Sequence, residues 1–296
     1  MTAPSQFHRR DGFTLIELLV VIAIIAVLVG LVVVALGGMM TRSKSAADLM
    51  NHRGLAKADA AYAADHEGQL LSPRTTELDN CDATLNWVWN YGVHEESGTL
   101  RIGTEYALMD GPAWEYIGLL TAYKSPLDDS AQVRSYSLSA YVGVFRGAND
   151  DDEALRPLLD IEGSDYWQPC LTTSQVPQPS ATMCSISEEA KAGPAKDGFY
   201  IHPDEDSPEW ATLPAAWWEP GRVNVSLLDG STRSIRFDSG AGLRKEWLKD
   251  IDGYDIPVES SLGQNVNDRY NSRDDYGRIR KLLLPGGDGD FPGLLN

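Results

Sequence analysis

The residue in this chain whose placement most needs a chemical account is a glutamate at membrane depth. Glu17 stands directly before Leu18–Leu36, a run of 19 residues built from Leu, Ile, Val and Ala and broken only by Gly30. At about 1.5 Å of rise per residue, a helix of that length reaches roughly 28 Å, close to the hydrocarbon thickness of a bilayer. Large apolar side chains lie all round such a helix, so it has no polar face with which to lie on a surface. The run therefore reads as a membrane span. A carboxylate at its edge costs on the order of a few kcal/mol and marks function. Its local context is Gly12-Phe13-Thr14-Leu15-Ile16-Glu17, preceded by His8, Arg9 and Arg10.

Taken together, Gly12, Phe13, Glu17 and the uninterrupted span resemble the prepilin N-terminal cleavage and methylation motif of type IV pilins and type II secretion pseudopilins. The resemblance implies that a membrane-embedded aspartyl peptidase, the prepilin peptidase, cuts between Gly12 and Phe13 and methylates the new amine of Phe13. Glu17 then becomes the fifth residue of the mature chain. The Phe13 amine of one subunit can pair with the Glu17 carboxylate of its neighbour, so that two costly charges cancel only on assembly. Two plainer readings compete. One is an ordinary signal anchor in which Glu17 is incidental. The other is a secretory signal peptide cut near Ala35-Leu36-Gly37, but its apolar core would exceed the usual 7–15 residues or so. Flanking charge does not decide orientation, because Arg9 and Arg10 face Arg42 and Lys44 across the run.

The roughly 260 residues after the span are enough for one sizeable domain, or for a domain with insertions. The chain carries a net charge of −18. Loss of Met1–Gly12 removes two Arg and one Asp, which leaves the mature chain slightly more acidic still. A chain of this charge, with no basic stripe, is repelled by nucleic acid. Its three cysteines, Cys81, Cys170 and Cys184, allow at most one disulfide and suit an oxidising periplasm. Cys170 and Cys184 are close enough in sequence to pair, though the sequence does not establish that they do. There is no CxxC spacing, and there is no Gly-x-Ser-x-Gly elbow, phosphate loop or zinc helix motif. The expectation is a protein that is not an enzyme.

Past the span, Met39 to about Glu67 continues as helix. Ala47, Met50, Ala58, Ala61 and Tyr62 fall roughly on one face, while Arg42, Lys44, Asp48, Arg53, Lys57 and Asp65 fill the remainder. Gly68 is the expected stop, with His66 solvated in the turn. From Thr75 the pattern shifts to short, β-leaning pieces. As a strand, Leu85–Tyr91 would put Trp87, Trp89 and Tyr91 on one face, either packed in a sheet or offered to a sugar. Trp114–Leu120 reads as a short helix or buried segment.

A narrower resemblance covers Tyr123 to Phe237, to the pseudopilin-like group with an H-x9-D-G processing-associated region. Tyr123-Lys124-Ser125-Pro126-Leu127-Asp128-Asp129 stands where that group has Cys-Pro-x-Asp, with Ser125 in place of the cysteine. Arg134–Tyr141 resembles its Ser-Tyr strand, and Val176–Met183 its Pro-Ser-x-Thr lead into a strand. Gly221–Ser231 resembles its closing hairpin, in which Val223, Val225 and Leu227 alternate with polar residues and Asp229-Gly230 is a two-residue turn signal. Arg233, Ile235 and Phe237 follow on the return strand. The group's histidine, ten residues before Asp229, is Glu219 here, so that histidine's role does not carry over. No resemblance extends past about Arg244.

Asn149–Glu153 reads as a solvated acidic loop. Major pseudopilins end in a Gly/Asp loop that holds calcium, and Leu284–Gly293 is loosely similar. A calcium site there would draw on Asp288 and Asp290 and would need further oxygens, such as Asp274 or Asp275.

These readings predict an α+β chain in five parts: a leader at 1–12, a transmembrane helix at 13–38, the soluble half of that helix at 39–67, a pilin-like β-rich domain with insertions at 68–243, and a C-terminal extension at 244–296. The resemblance implies a single-pass protein of the bacterial inner membrane whose domain, built on an antiparallel sheet, faces the periplasm. Its partners would be prepilin peptidase and other pilin or pseudopilin subunits in a filament. The rival is a membrane-tethered binding module that takes glycans through an exposed Trp87, Trp89 and Tyr91 face.

Overall fold

In the computed structural model, the described residues are 15–75, 86–88, 105–143, 170–188, 198–201, 212–216, 218–219, 221–238 and 273–283, excepting the side chains of 33–38 and 273. The chain divides into two compact units, Met1–Ser43 and Lys44–Asn296, and the division falls inside the first helix.

That helix, α1, runs Leu15–Asp65. No proline occurs between Pro4 and Pro73, and its second part is rich in alanine, the best helix former. In the first unit, Leu15–Val32 is long and apolar enough to cross a membrane, and none of it is buried. α1 ends in a 6→1 closure in which the Gly68 amide donates to the Ala63 carbonyl at 2.7 Å. Glu67 takes the left-handed position, at φ 56°. His66 is exposed, stacked on the Tyr62 ring at 3.9 Å.

The second unit is built on a four-stranded antiparallel sheet in the order β1-β2-β3-β4, namely Tyr136–Leu138, Met183–Ser187, Arg222–Leu227 and Thr232–Arg236. The fold is therefore α+β, with the strands where the Ser-Tyr, Pro-Ser-x-Thr and closing-hairpin segments lie. The hairpin loop differs from the two-residue expectation. Ser226 pairs with Thr232, Leu227 receives and returns the closing bonds, and Leu228, Asp229 and Gly230 form the loop. Gly230 at φ 82° supplies the left-handed third position of a type I turn with a bulge, and Asp229 Oδ1 accepts the Ser231 amide at 2.9 Å.

A bulge between Met183 and Ser185 sets which side chains of β2 face where. Met183 pairs with Leu227 and Ile186 with Val225, and these join Val223 on one apolar face. Ser185, opposite Ser226, lies on the other face. The apolar face is filled in part by a helix in the C-terminal extension. The short helices α2, Glu105–Met109, and α3, Trp114–Ile117, come before β1, and the extension holds α4, Arg273–Leu283. α4 contributes Tyr276, Ile279 and Leu283, spaced i, i+3 and i+7, to the same core as the strands. The extension thus supplies part of the sheet's own core. Asp275 at its start accepts the Asp238 amide at 2.9 and 3.0 Å and the Arg278 guanidinium at 3.0 Å.

Gly54 lies within α1, and a β-carbon added there meets nothing within 4 Å. Gly54→Ala should therefore stabilise the domain by about 0.5–1 kcal/mol, through the lower backbone entropy of the unfolded chain. A lower urea midpoint for the variant than for wild type would contradict this.

Candidate assembly helix and its docking seam

Of the residues singled out for processing and assembly, Gly12 and Phe13 lie outside the described residues. Glu17 falls in the first turn of α1, on a helix surface that is exposed through Val32.

From Lys44 on, α1 docks on the sheet by a different face from the one expected. Met50 is 63 % exposed, and Ala47 and Ala61 are exposed with it. The buried positions are Ser45, Asp48, His52, Leu55, Ala56, Ala58, Asp59, Tyr62 and Ala63. Of the expected face, Ala58 and Tyr62 are buried. Asp48, assigned to the solvated remainder, is 1 % exposed. The reason is the surface the helix meets. Ser185, Ser187, Asn224 and Ser226 line the sheet face under α1, and an apolar helix face laid there would strand their polar groups.

The seam is closed by hydrogen bonds. Asp48 accepts the Tyr136 hydroxyl at 2.7 Å, the Asn224 amide at 2.8 Å and the Ser187 hydroxyl at 3.3 Å. His52 lies between two strand serines, with Nδ1 2.7 Å from Ser185 Oγ and Nε2 2.9 Å from Ser187 Oγ. Because Ser187 donates to Asp48, it accepts from His52 Nε2–H, and Nδ1 is left to accept from Ser185. Burial holds His52 down to about 4 against the opposing pull of Asp48, so the ring is neutral at neutral pH. Tyr136 closes the seam edge-on to the imidazole at 4.6 Å.

Glu219, which stands where the H-x9-D-G group has histidine, accepts the Ser45 hydroxyl and ties α1 to the lead into β3. Ser125, in the place of the group's cysteine, is buried and its Oγ accepts the Leu127 amide at 3.2 Å. Asp128 in the same loop accepts the Ser135 hydroxyl at 2.6 Å. Cys170 and Cys184 are both free thiols and not a disulfide. Cys81 lies outside the described residues.

Trp87 is fully buried, stacked on Tyr123 at 5.9 Å, with the Arg134 guanidinium 5.2 Å from its ring centre. It and buried Val88 form a bend and not an alternating strand, because both neighbours turn inward. Trp89 and Tyr91 lie outside the described residues, as do Asn149–Glu153, Asp288 and Asp290. Among the described residues no group of His, Cys, Asp and Glu is placed to hold a metal ion.

The seam residues went unread because they are polar. Their spacing on α1, at 45, 48, 52, 55, 59 and 62, is the helical signal that would have found them, had residue type not been weighed first.

A prepilin-type N-terminus is what these features define: Gly12 and Phe13 in the sequence ahead of Glu17, Glu17 in the first turn and an exposed apolar helix. Residues 7–33 match the family described as the prokaryotic N-terminal methylation motif, the prepilin-cleavage signal of type IV pilins and pseudopilins. Comparison with curated proteins and with solved structures gave no match.

Proposed function

We propose that this chain is a pseudopilin-like or minor pilin-like structural subunit. Prepilin peptidase cuts it between Gly12 and Phe13 and methylates Phe13. It is anchored in the inner membrane with its domain in the periplasm, and it assembles into a type II secretion or type IV pilus-like filament. One observation carries this reading: the methylation motif at 7–33 overlaps the start of the helix Leu15–Asp65, whose later turns dock on an antiparallel sheet. The buried Trp87 speaks against an aromatic glycan platform at that position.

In this reading Glu17 is the assembly contact. An incoming Phe13 ammonium needs a carboxylate partner, and a buried charge left unpaired costs several kcal/mol. Glu17→Gln should leave cleavage and membrane insertion intact, since the apolar run is unchanged, while cutting incorporation into filaments. A sheared-filament or cross-linking assay beside a membrane-fraction blot measures both. Equal incorporation of mutant and wild type would remove Glu17 from this role. A wild type that never cross-links to another pilin-like subunit would favour the tethered binding module.

A further inference from the structure

The seam leaves one buried titratable group on α1 unaccounted for. Asp59 is 4 % exposed. Its Oδ1 accepts the Leu71 amide at 2.8 Å, and the Cys184 thiol donates to Oδ2 at 3.9 Å. Among the described residues no cation pairs with it. Arg74, the charged residue of the segment Leu70–Thr75, is not bonded to it. His52, two turns earlier on the same helix face, is neutral, and Tyr62 lies one turn later. Cys184 on β2 is the titratable side chain directly against it, and burial pushes that thiol well above its ordinary value. Both donors favour the carboxylate, but one amide and one weak thiol are too few to replace its hydration in a buried site without a cation.

What Asp59 holds is a junction. Every residue of Leu70–Thr75 is buried. The Leu70 amide donates to the Leu171 carbonyl at 3.0 Å, and the Trp87 amide to the Ser72 carbonyl at 3.0 Å. Gly143, at φ 114°, passes so close that an added β-carbon would lie 2.2 Å from the Leu71 carbonyl oxygen. This strap is where the 86–88, 142–143 and 170–172 segments meet, and the Asp59–Leu71 bond ties it to α1.

We propose that Asp59 is a proton-operated clasp, which holds the strap on α1 when protonated and lets it lift when ionised. Ionisation sets the carboxyl's gain from hydration against the Leu71 bond, and the strap amide is released with it. Burial, opposed by the Leu71 amide and the Cys184 thiol, pushes the carboxyl up to about 7, within the range in which a bacterial envelope operates.

Hydrogen exchange on the full chain in detergent micelles, from pH 4.5 to 8.5 and corrected for intrinsic exchange chemistry, tests this. Opening of Leu70–Thr75 should rise up to tenfold per pH unit as pH climbs from about 4.5 towards 7 and level off above about 7.5, while α4 amides stay flat. Asp59→Asn should flatten the strap's response, and Cys184→Ser should keep it. A wild-type strap with no pH response, or an Asp59→Asn strap with the wild-type response, would overturn the proposal. Should Asp59→Asn not fold, infrared spectra of the wild type decide. A protonated-carboxyl band present at pH 6.5 and gone by 8.5 supports the clasp, and no such band at 6.5 overturns it.

Discussion

Asp48→Ala should cost the domain about 2–4 kcal/mol, a large share of the stability of a domain of this kind. The side chain is small, so little of this is lost packing. The loss comes from what remains behind: the Tyr136 hydroxyl would be buried without its acceptor, the Asn224 amide would keep only its 3.3 Å bond to Ser45, and Ser187 would lose one of its bonds. These three partners come from three different strands, so the deletion unpins α1 across β1, β2 and β3 together. Asp48→Asn keeps one acceptor oxygen but turns an amide toward the Asn224 amide, and should fall between wild type and alanine. Urea unfolding followed by tryptophan fluorescence measures the series. A loss below about 1 kcal/mol for the alanine variant would mean that water satisfies the seam.

The second large effect is in acid, and two buried groups oppose each other there. His52 is held down to about 4 from an ordinary 6.5, so the unfolded chain binds the extra proton first. Its contribution is intact above pH 6.5 and is lost as pH falls toward 4, on the order of 3 kcal/mol in all. Asp59 runs the other way. Raised to about 7 from 3.8, it binds its proton first in the folded chain, so its contribution is present in acid and is lost as pH rises through 7. Between about pH 4 and 6.5 the two slopes nearly cancel. Asp59→Asn should therefore expose the steep acid loss of His52, whereas His52→Gln should leave a domain that gains stability as pH falls. Stability at pH 7, 5.5 and 4.5 for the three proteins reads the slopes directly. Parallel slopes in all three would show that neither group is buried as described.

The processing motif was legible because its chemistry is tied to fixed spacing: Gly12, Phe13 and Glu17 stand at set distances before a run that no soluble helix needs. The strands were legible for a related reason, since Val223, Val225 and Leu227 alternate and Asp229-Gly230 can turn. The docking face was not. Periodicity read through hydrophobicity picked Ala47, Met50 and Ala61, whereas the sheet offered serines and an asparagine, and polarity matched polarity. No single strand announces that its polar side is covered; alternation looks the same whether water or a helix lies above it. Helix α4 was overlooked for want of a resemblance, although Tyr276, Ile279 and Leu283 carry its period.

The identity of the mature N-terminus is the most direct test of the account. The protein, extracted from membranes of a host with prepilin peptidase, is examined by intact mass and N-terminal sequencing. The account predicts a chain that begins at N-methylated Phe13, and a Gly12→Ala variant that is cut slowly if at all. A chain that begins at Gly38, or one that retains Met1 uncut, would contradict it.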